Sequence, residues 1–444
     1  MSAPDNLGIP PLAGVCTYEE ASRPGISIEQ TVSLLKRYNH ALRRLNETAT
    51  AHLTSTPEWE VKCALGLHLW LDAEHATAIR VRVSELREPP LHLDDVPDAA
   101  LEAAFAEAIR ARSTPELLAG AYGVLRVALL AALQEHLASM NPLFDHPTWR
   151  LLRTIVREQE EIVEWGLAAL GALGDSSQHD AVFAEHVRAY LAAAGGIAGT
   201  APVPSPELPT PRSDGQLYEM DTRPRRDARF RDGLNNSGKV GKRHRDTSLP
   251  TEERALALVY KRLLEMDVPE MMAPIIYRSG GKPWAYYADM SRQLWDEARH
   301  AMMGEVGMTA LRIPFYRYPL DRKFSELLNS LFTPLEAHLI LWKIEQSLMP
   351  RTTGKRAEWE LAREGGNELM IAMQDYDWAD EVLHAQIGRR HLDPEFASSA
   401  ERTAAAEKVW ERYLALIDEW AEAHADDEPW WDTFVADVRA AQSR

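Results

Sequence analysis

The chain has 444 residues, 45% of them hydrophobic, which is enough for two cores because single domains rarely grow past about 250 residues. A formal charge of −18 argues against nucleic acid as a main partner, since a phosphate backbone needs a clustered basic face. Two cysteines, Cys16 and Cys63, argue against a disulfide framework or a thiolate zinc cluster. The first residues, Met1-Ser2-Ala3-Pro4-Asp5, lack a basic stretch followed by an apolar one, and no uninterrupted apolar run reaches the roughly 20 residues of a bilayer span, so a cytoplasmic protein without membrane contact is expected.

Strand signals are scarce and helix signals abundant. Ile28, Val32, Leu35, Tyr38, Leu42 and Leu45 recur at helical spacing and predict a first helix over 28–54, ended by Pro57. A second follows over 58–87, and loops and lesser helices fill 89–113. Thr114-Pro115 opens a third helix to about Met140, whose stretch 121–133 is apolar enough to be buried, and Pro147 opens a fourth to about Leu173.

Residues 195–250 differ in kind. Six prolines between 202 and 224, followed by Arg223, Arg225, Arg226, Arg229, Arg231, Lys239, Lys242, Arg243 and Arg245, break any periodicity and mark a linker. Its positive charge reads either as a solvated linker docked on an acidic protein or as an anion or partner site. Beyond it, helices are predicted from Glu252 to Tyr277 with a kink at Pro269 or Pro274, from Pro283, from Pro334 to Pro350, and after Gly365-Gly366. A short extra helix over 351–364 is expected to be too polar for the core. The domains expected are 1–194, a linker over 195–250, and 251–444 with a C-terminal helical extension.

Two stretches repeat one pattern. Trp70-Leu71-Asp72-Ala73-Glu74-His75-Ala76 and Trp295-Asp296-Glu297-Ala298-Arg299-His300-Ala301 both read W-x-[DE]-A-x-H-A, and Glu381-Val382-Leu383-His384 adds a third carboxylate and imidazole three residues apart. That spacing places both groups on one helical face, as helix bundles present metal ligands. In antiparallel neighbours, residues equally far from the connecting loop lie at equal height. Glu265 lies about 15 residues before Gly280-Gly281 and Glu297 about 16 after, while Glu336 lies 14 before Pro350 and Glu381 lies 15 after Gly366. Glu345 is set aside as too near its helix end, and Glu270 as weaker than Glu265. The candidate metal set is therefore Glu265, Glu297, His300, Glu336, Glu381 and His384. Four carboxylates and two imidazoles suit two cations, and oxygen and nitrogen donors without thiolate suit iron, or manganese, better than structural zinc.

On these residues, 251–392 resembles the ferritin-like di-iron carboxylate superfamily, which includes the ribonucleotide reductase small subunit, bacterial multicomponent monooxygenases and rubrerythrins. Asp380-Glu381-Val382-Leu383-His384, followed by Gly388 and Leu392, is similar to the final helix of an uncharacterised bacterial ferritin-like family. The resemblance covers about a third of the chain. It implies a four-helix bundle, a dinuclear centre and oxygen chemistry. The expected fold is thus all-α, two ferritin-like four-helix bundles in tandem joined by a long Pro/Arg-rich linker. The expected function is a di-iron (or Fe/Mn) oxidase or oxygenase that acts on a small organic molecule, using dioxygen and an external electron donor. The alternative is a non-enzymatic ferritin-like protein that binds metal or docks a partner, and a homodimer is one assembly open to either.

The first half departs from the ligand pattern. Asp72 and His75 keep one pair, but His40 to Arg44 offers no carboxylate, Tyr122 to Leu130 no inward acid, and the fourth helix has Glu161-Ile162-Val163-Glu164 in place of E-x-x-H. It reads as a degenerate repeat in which Asp72 and His75 form buried hydrogen bonds, with His68 and His136 as packing or surface residues. In the second half, Trp295, Trp342 and Trp378 read as core, and Tyr286, Tyr287 and Tyr376 as buried residues with satisfied hydroxyls, the alternative being a hydrogen bond behind a ligand or a radical site. Arg299 is positioned to orient a ligand carboxylate, and Asp377 and Asp380 either hold a histidine ring or face solvent.

Overall fold

Prolines and polar caps set where the helices begin. Thr333 caps a helix whose first residue is Pro334, Asn367 accepts a hydrogen bond from the Met370 amide, and Pro283 precedes a helix starting at Trp284. The computed structural model describes residues 6–87, 91–173, 179–203, 208–231, 243–320, 322–423 and 430–443, and these contain helices and no strand. The chain is all-α, as the periodicity predicts.

The principal helices are α1 (Ile28–His52), α2 (Trp59–Glu85), α3 (Ala99–Ala108), α4 (Thr114–Ser139), α5 (His146–Leu173) and α6 (His179–Ala193). They continue with α7 (Thr251–Leu264), α8 (Asp267–Arg278), α9 (Trp284–Ala310), α10 (Lys323–Leu331), α11 (Pro334–Ser347), α12 (Lys355–Gly365), α13 (Glu368–Leu392), α14 (Ser399–Ala423) and α15 (Trp430–Gln442). The chain divides into two compact units, one of Met1–Thr48 and Leu71–Glu219, the other of Ala49–Trp70 and Met220–Arg444. Both α1 and α2 therefore contribute to each unit.

In the first unit, α4 contains a π-helical stretch, Leu118–Arg126. α4 is long and apolar enough to cross a membrane, but 72% of its most apolar window is buried within the protein. α6 and α5 approach it closely: a Cβ on Gly120 would lie 2.8 Å from the Phe183 ring, and one on Gly166 2.2 Å from that of Tyr122. Tyr38 on α1 donates to the Ala132 carbonyl at 3.0 Å. Residues 195–219, from the expected linker, belong to this unit, where Arg212 pairs with Glu116 at 2.7 Å.

In the second unit, the helix expected over 252–277 is two helices, broken at Glu265 and Met266. A proline ring clashes with the carbonyl four residues earlier, so Pro269 places the break at Glu265, while Pro274 is accommodated inside α8. α9 packs on α7, α8 and α13, and α11 packs on α8 and α13. The α7 to α9 contact is close because a Cβ on Gly304 would lie 2.2 Å from the Leu263 nitrogen. Tyr260, Leu263 and Met308 form the core with Trp430, Trp431 and Phe434 of α15. The two motif tryptophans, Trp70 and Trp295, stack with ring centroids 6.2 Å apart and planes 8° from parallel.

Basic residues of 220–231 are paired with acids of this unit. Arg226 and Lys62 bond Glu270, and Arg229 bonds Glu60 at 2.7 Å. Arg243 lies 3.6 Å from Glu253; Lys239 and Lys242 lie outside the described residues. α12 is the extra helix expected over 351–364, but its polar residues do enter the core: Lys355 is 0% exposed and Glu358 1%.

Candidate metal centre

Glu297 and His300 lie three residues apart on the inner face of α9, and Glu381 and His384 do the same on α13. Glu345 projects from the last turn of α11, and Glu265 from the break between α7 and α8. Nδ1 of His384 lies 3.1 Å from Glu297 Oε1 and 3.4 Å from Glu381 Oε2. Nδ1 of His300 lies 3.4 Å from Glu297 Oε2, Glu265 Oε2 and Asp377 Oδ1. One oxygen of Glu297 thus faces each imidazole. Two groups of donor atoms, Glu297/Glu345/Glu381/His384 and Glu265/His300/Asp377, each lie within 4.8 Å of one another, close enough to surround an ion.

The far nitrogens are held by aspartates. Nε2 of His300 is 3.0 Å from Asp380 Oδ2, and Nε2 of His384 is 3.4 Å from Asp296 Oδ2. Carboxylates in this role fix the ring and turn Nδ1 toward the centre. Arg299 donates to both Asp296 and Asp380 at 2.6 Å, tying the two supports together. Burial alone would raise the Asp296 carboxyl, but hydrogen bonds from His384, Arg292 and Arg299 bring it down to about 2.

Five donor atoms, Glu265 Oε2, Glu345 Oε2, Glu381 Oε2, His300 Nδ1 and His384 Nδ1, are sealed from solvent with no hydrogen bond of acceptable geometry. Buried polar atoms rarely stay unpaired, since each such vacancy costs about 1–3 kcal/mol. Three belong to residues of the first donor group and two to residues of the second, so the residues fit a cation. Without one, burial and the neighbouring Glu381 and Glu297 push the Glu345 carboxyl well above its usual range. Burial opposes charge on both imidazoles, yet the surrounding carboxylates hold them protonated well above ordinary histidine.

Two cations of the chain also enter. Lys355 Nζ lies 2.7 Å from Asp377 Oδ1, 2.7 Å from Glu381 Oε1 and 3.5 Å from Glu265 Oε1. Arg262, 0% exposed, pairs with Asp377 and Glu265.

Five of the six sequence candidates meet here: Glu265, Glu297, His300, Glu381 and His384. Glu336 does not. Its carboxylate closes a capping box with Thr333 at the start of α11, 2.9 Å from the Thr333 amide, and Glu345 reaches the centre in its place. Matching loop offsets fails for this pair because α12 lies between α11 and α13, so the two helices are not joined by a direct hairpin. Asp377, Lys355 and Arg262 were not candidates for the centre itself. Asp377 carried a signal, one helical turn before Glu381 on the same face, and so did Asp296, which completes a D-E-x-x-H identical in form to Asp380-Glu381-x-x-His384. Lys355 carried none. Asp380 does hold a histidine ring, and Glu270 lies outside the centre, in its ion cluster with Lys62 and Arg226.

In the first unit the same motif has a different outcome. Arg126, 1% exposed, donates to both oxygens of Asp72 at 2.9 and 2.6 Å, and His75 bonds Glu158 and Gln159. The guanidinium supplies the positive charge that Asp72 requires, so this pair is a buried ion and hydrogen-bond network, as its sequence suggests. No protein-family model, no curated protein and no solved structure matches the chain.

Proposed function

We propose that the second unit is a non-haem iron oxidoreductase that uses dioxygen to oxidise a small organic molecule. The observation that carries this reading is the pair of adjoining buried donor groups, Glu297/Glu345/Glu381/His384 and Glu265/His300/Asp377, each with its ligand atoms within 4.8 Å of one another. Oxygen and nitrogen donors without thiolate suit iron, and manganese suits them nearly as well. The closed ring of neighbours formed by α7 and α8, α9, α13 and α11 supports a ferritin-like four-helix bundle, and the repeated W-x-[DE]-A-x-H-A motif is the support for the first unit as its degenerate copy.

Bound iron would supply the electrons that activate dioxygen toward a C–H or N–H bond, with an external donor restoring them. The chain's part is positional. Glu297 divides its two oxygens between the imidazoles, Asp296 and Asp380 set the ring orientations, and Arg299 locks those two aspartates together.

Anaerobic loading with ferrous iron followed by air tests the reading. Retained iron, a ferric absorption band and repeated oxygen uptake in the presence of a reductant are expected, and Glu297→Ala and Glu381→Ala should lose the iron. Failure of the native protein to retain iron would overturn it. A metal-binding protein without enzymatic turnover would consume oxygen once, in proportion to its own iron, and then stop.

A further inference from the structure

The two halves of the centre are unequal in charge. Around His384 stand three carboxylates, Glu297, Glu345 and Glu381, and Lys355 reaches one oxygen of one of them. Around His300 stand Glu265 and Asp377, and both are contacted by two buried cations, Lys355 and Arg262. The first group sets three carboxylates against one ammonium that it shares, and the second sets two carboxylates against that same ammonium and the Arg262 guanidinium. A divalent ion entering the second group would meet both a guanidinium and an ammonium on its two carboxylates, whereas one entering the first would meet only the shared ammonium, on one carboxylate of three.

The position of Lys355 is set by the backbone. Gly354 packs so tightly that an added Cβ would lie 2.0 Å from the Leu348 carbonyl oxygen, and the Lys355 amide donates to that oxygen at 3.0 Å. Lys355 is also the first residue of α12, where the helix dipole disfavours a cation. Its burial is therefore offset chiefly by Asp377, Glu265 and Glu381, with Glu358 of its own helix adding to them.

Resting on the metal-binding reading above, we infer that the centre takes one divalent cation on Glu297, Glu345, Glu381 and His384, and that the Lys355 ammonium stands where a second ion would lie. Four donors would surround the single ion, and three of their atoms make no well-formed hydrogen bond without it. Glu265, Asp377 and His300 are then ligands in arrangement but salt-bridge partners in practice.

Titration of the chelator-stripped full chain with manganese(II), read by metal analysis and by electron paramagnetic resonance, tests this. One ion per chain is expected, with the six-line signal of an isolated manganese. Glu345→Gln should weaken binding by more than about 100-fold, whereas Glu265→Gln should leave it within about threefold. Lys355→Met, checked for native helicity, should admit a second ion and replace the six-line signal with a coupled one. Two coupled ions in the native protein, equal losses in Glu265→Gln and Glu345→Gln, or a folded Lys355→Met that still binds one ion would each overturn the inference. Native protein that binds no ion at all would instead defeat the metal reading on which it rests.

Discussion

Asp380 on α13 holds the imidazole of His300 on α9 at 3.0 Å, and Asp296 on α9 returns the interaction to His384 on α13. Each D-E-x-x-H helix thus supplies a glutamate and a histidine to the centre and an aspartate to its neighbour's histidine. Neither imidazole is oriented by its own helix alone.

This crossing makes the two aspartates separable. Asp296→Asn should weaken manganese binding about 10- to 100-fold, because it releases the ring of His384. Asp380→Asn, which releases His300, should cost less if one ion sits on the Glu345 side. Dissociation constants for the two variants decide the order, and an unchanged constant for Asp296→Asn would contradict the role given to it.

Glu336 and Glu345 share a helix and differ in task. Glu336→Ala removes half of a capping box and should lower unfolding stability by about 1 kcal/mol with metal binding unchanged. Denaturant midpoints and metal content of the same preparation measure both effects. Loss of metal in Glu336→Ala would return that residue to the ligand set.

In the first unit, Asp72→Ala leaves the Arg126 guanidinium buried without its carboxylate and should cost about 3–5 kcal/mol while sparing metal binding. Replacing both partners with apolar residues of similar volume, Asp72→Leu with Arg126→Met, should recover most of that loss. Chemical denaturation of the single and double variants tests it, and loss of metal in Asp72→Ala would place the working centre in the wrong half.

Two buried histidines predict acid sensitivity. Burial lowers His136 in the first unit to about 4 and His338 in the second to about 3. Because the folded values lie below that of the unfolded chain, near 6.5, the unfolded state binds the extra protons as pH falls. Stability is full above about 6.5, declines below it, and levels off under the folded values. Each site should cost about 2 kcal/mol at pH 5, where the unfolded imidazole is charged and the folded one is not. Unfolding free energies at pH 7.5 and 5.0 should converge by that amount in His338→Phe, and an unchanged pH slope would show that this ring does not titrate on unfolding.

Much of the fold is legible in the sequence because helix starts and stops are local. Pro283, Thr333-Pro334 and Asn367 act on the backbone within a few residues, so the starts of α9, α11 and α13 follow from their neighbours. The pairs Glu297 with His300 and Glu381 with His384 are equally local, since three residues along a helix is one face. The break at Glu265 was displaced from its expected position because a proline acts four residues upstream of itself.

What the sequence by itself determined was helical periodicity, the repeated motif and the residues that a single turn brings together. The tertiary structure decided which helices face one another. Only packing could select Glu345 over Glu336, carry Asp296 and Asp380 across to each other's histidines, and bring Lys355 from an apparently polar connecting helix into the acids. The reason is electrostatic as well as geometric. A buried carboxylate is defined by the charge opposite it, and in this chain that charge comes from residues distant in sequence: Arg126 for Asp72, and Arg262 and Lys355 for Asp377.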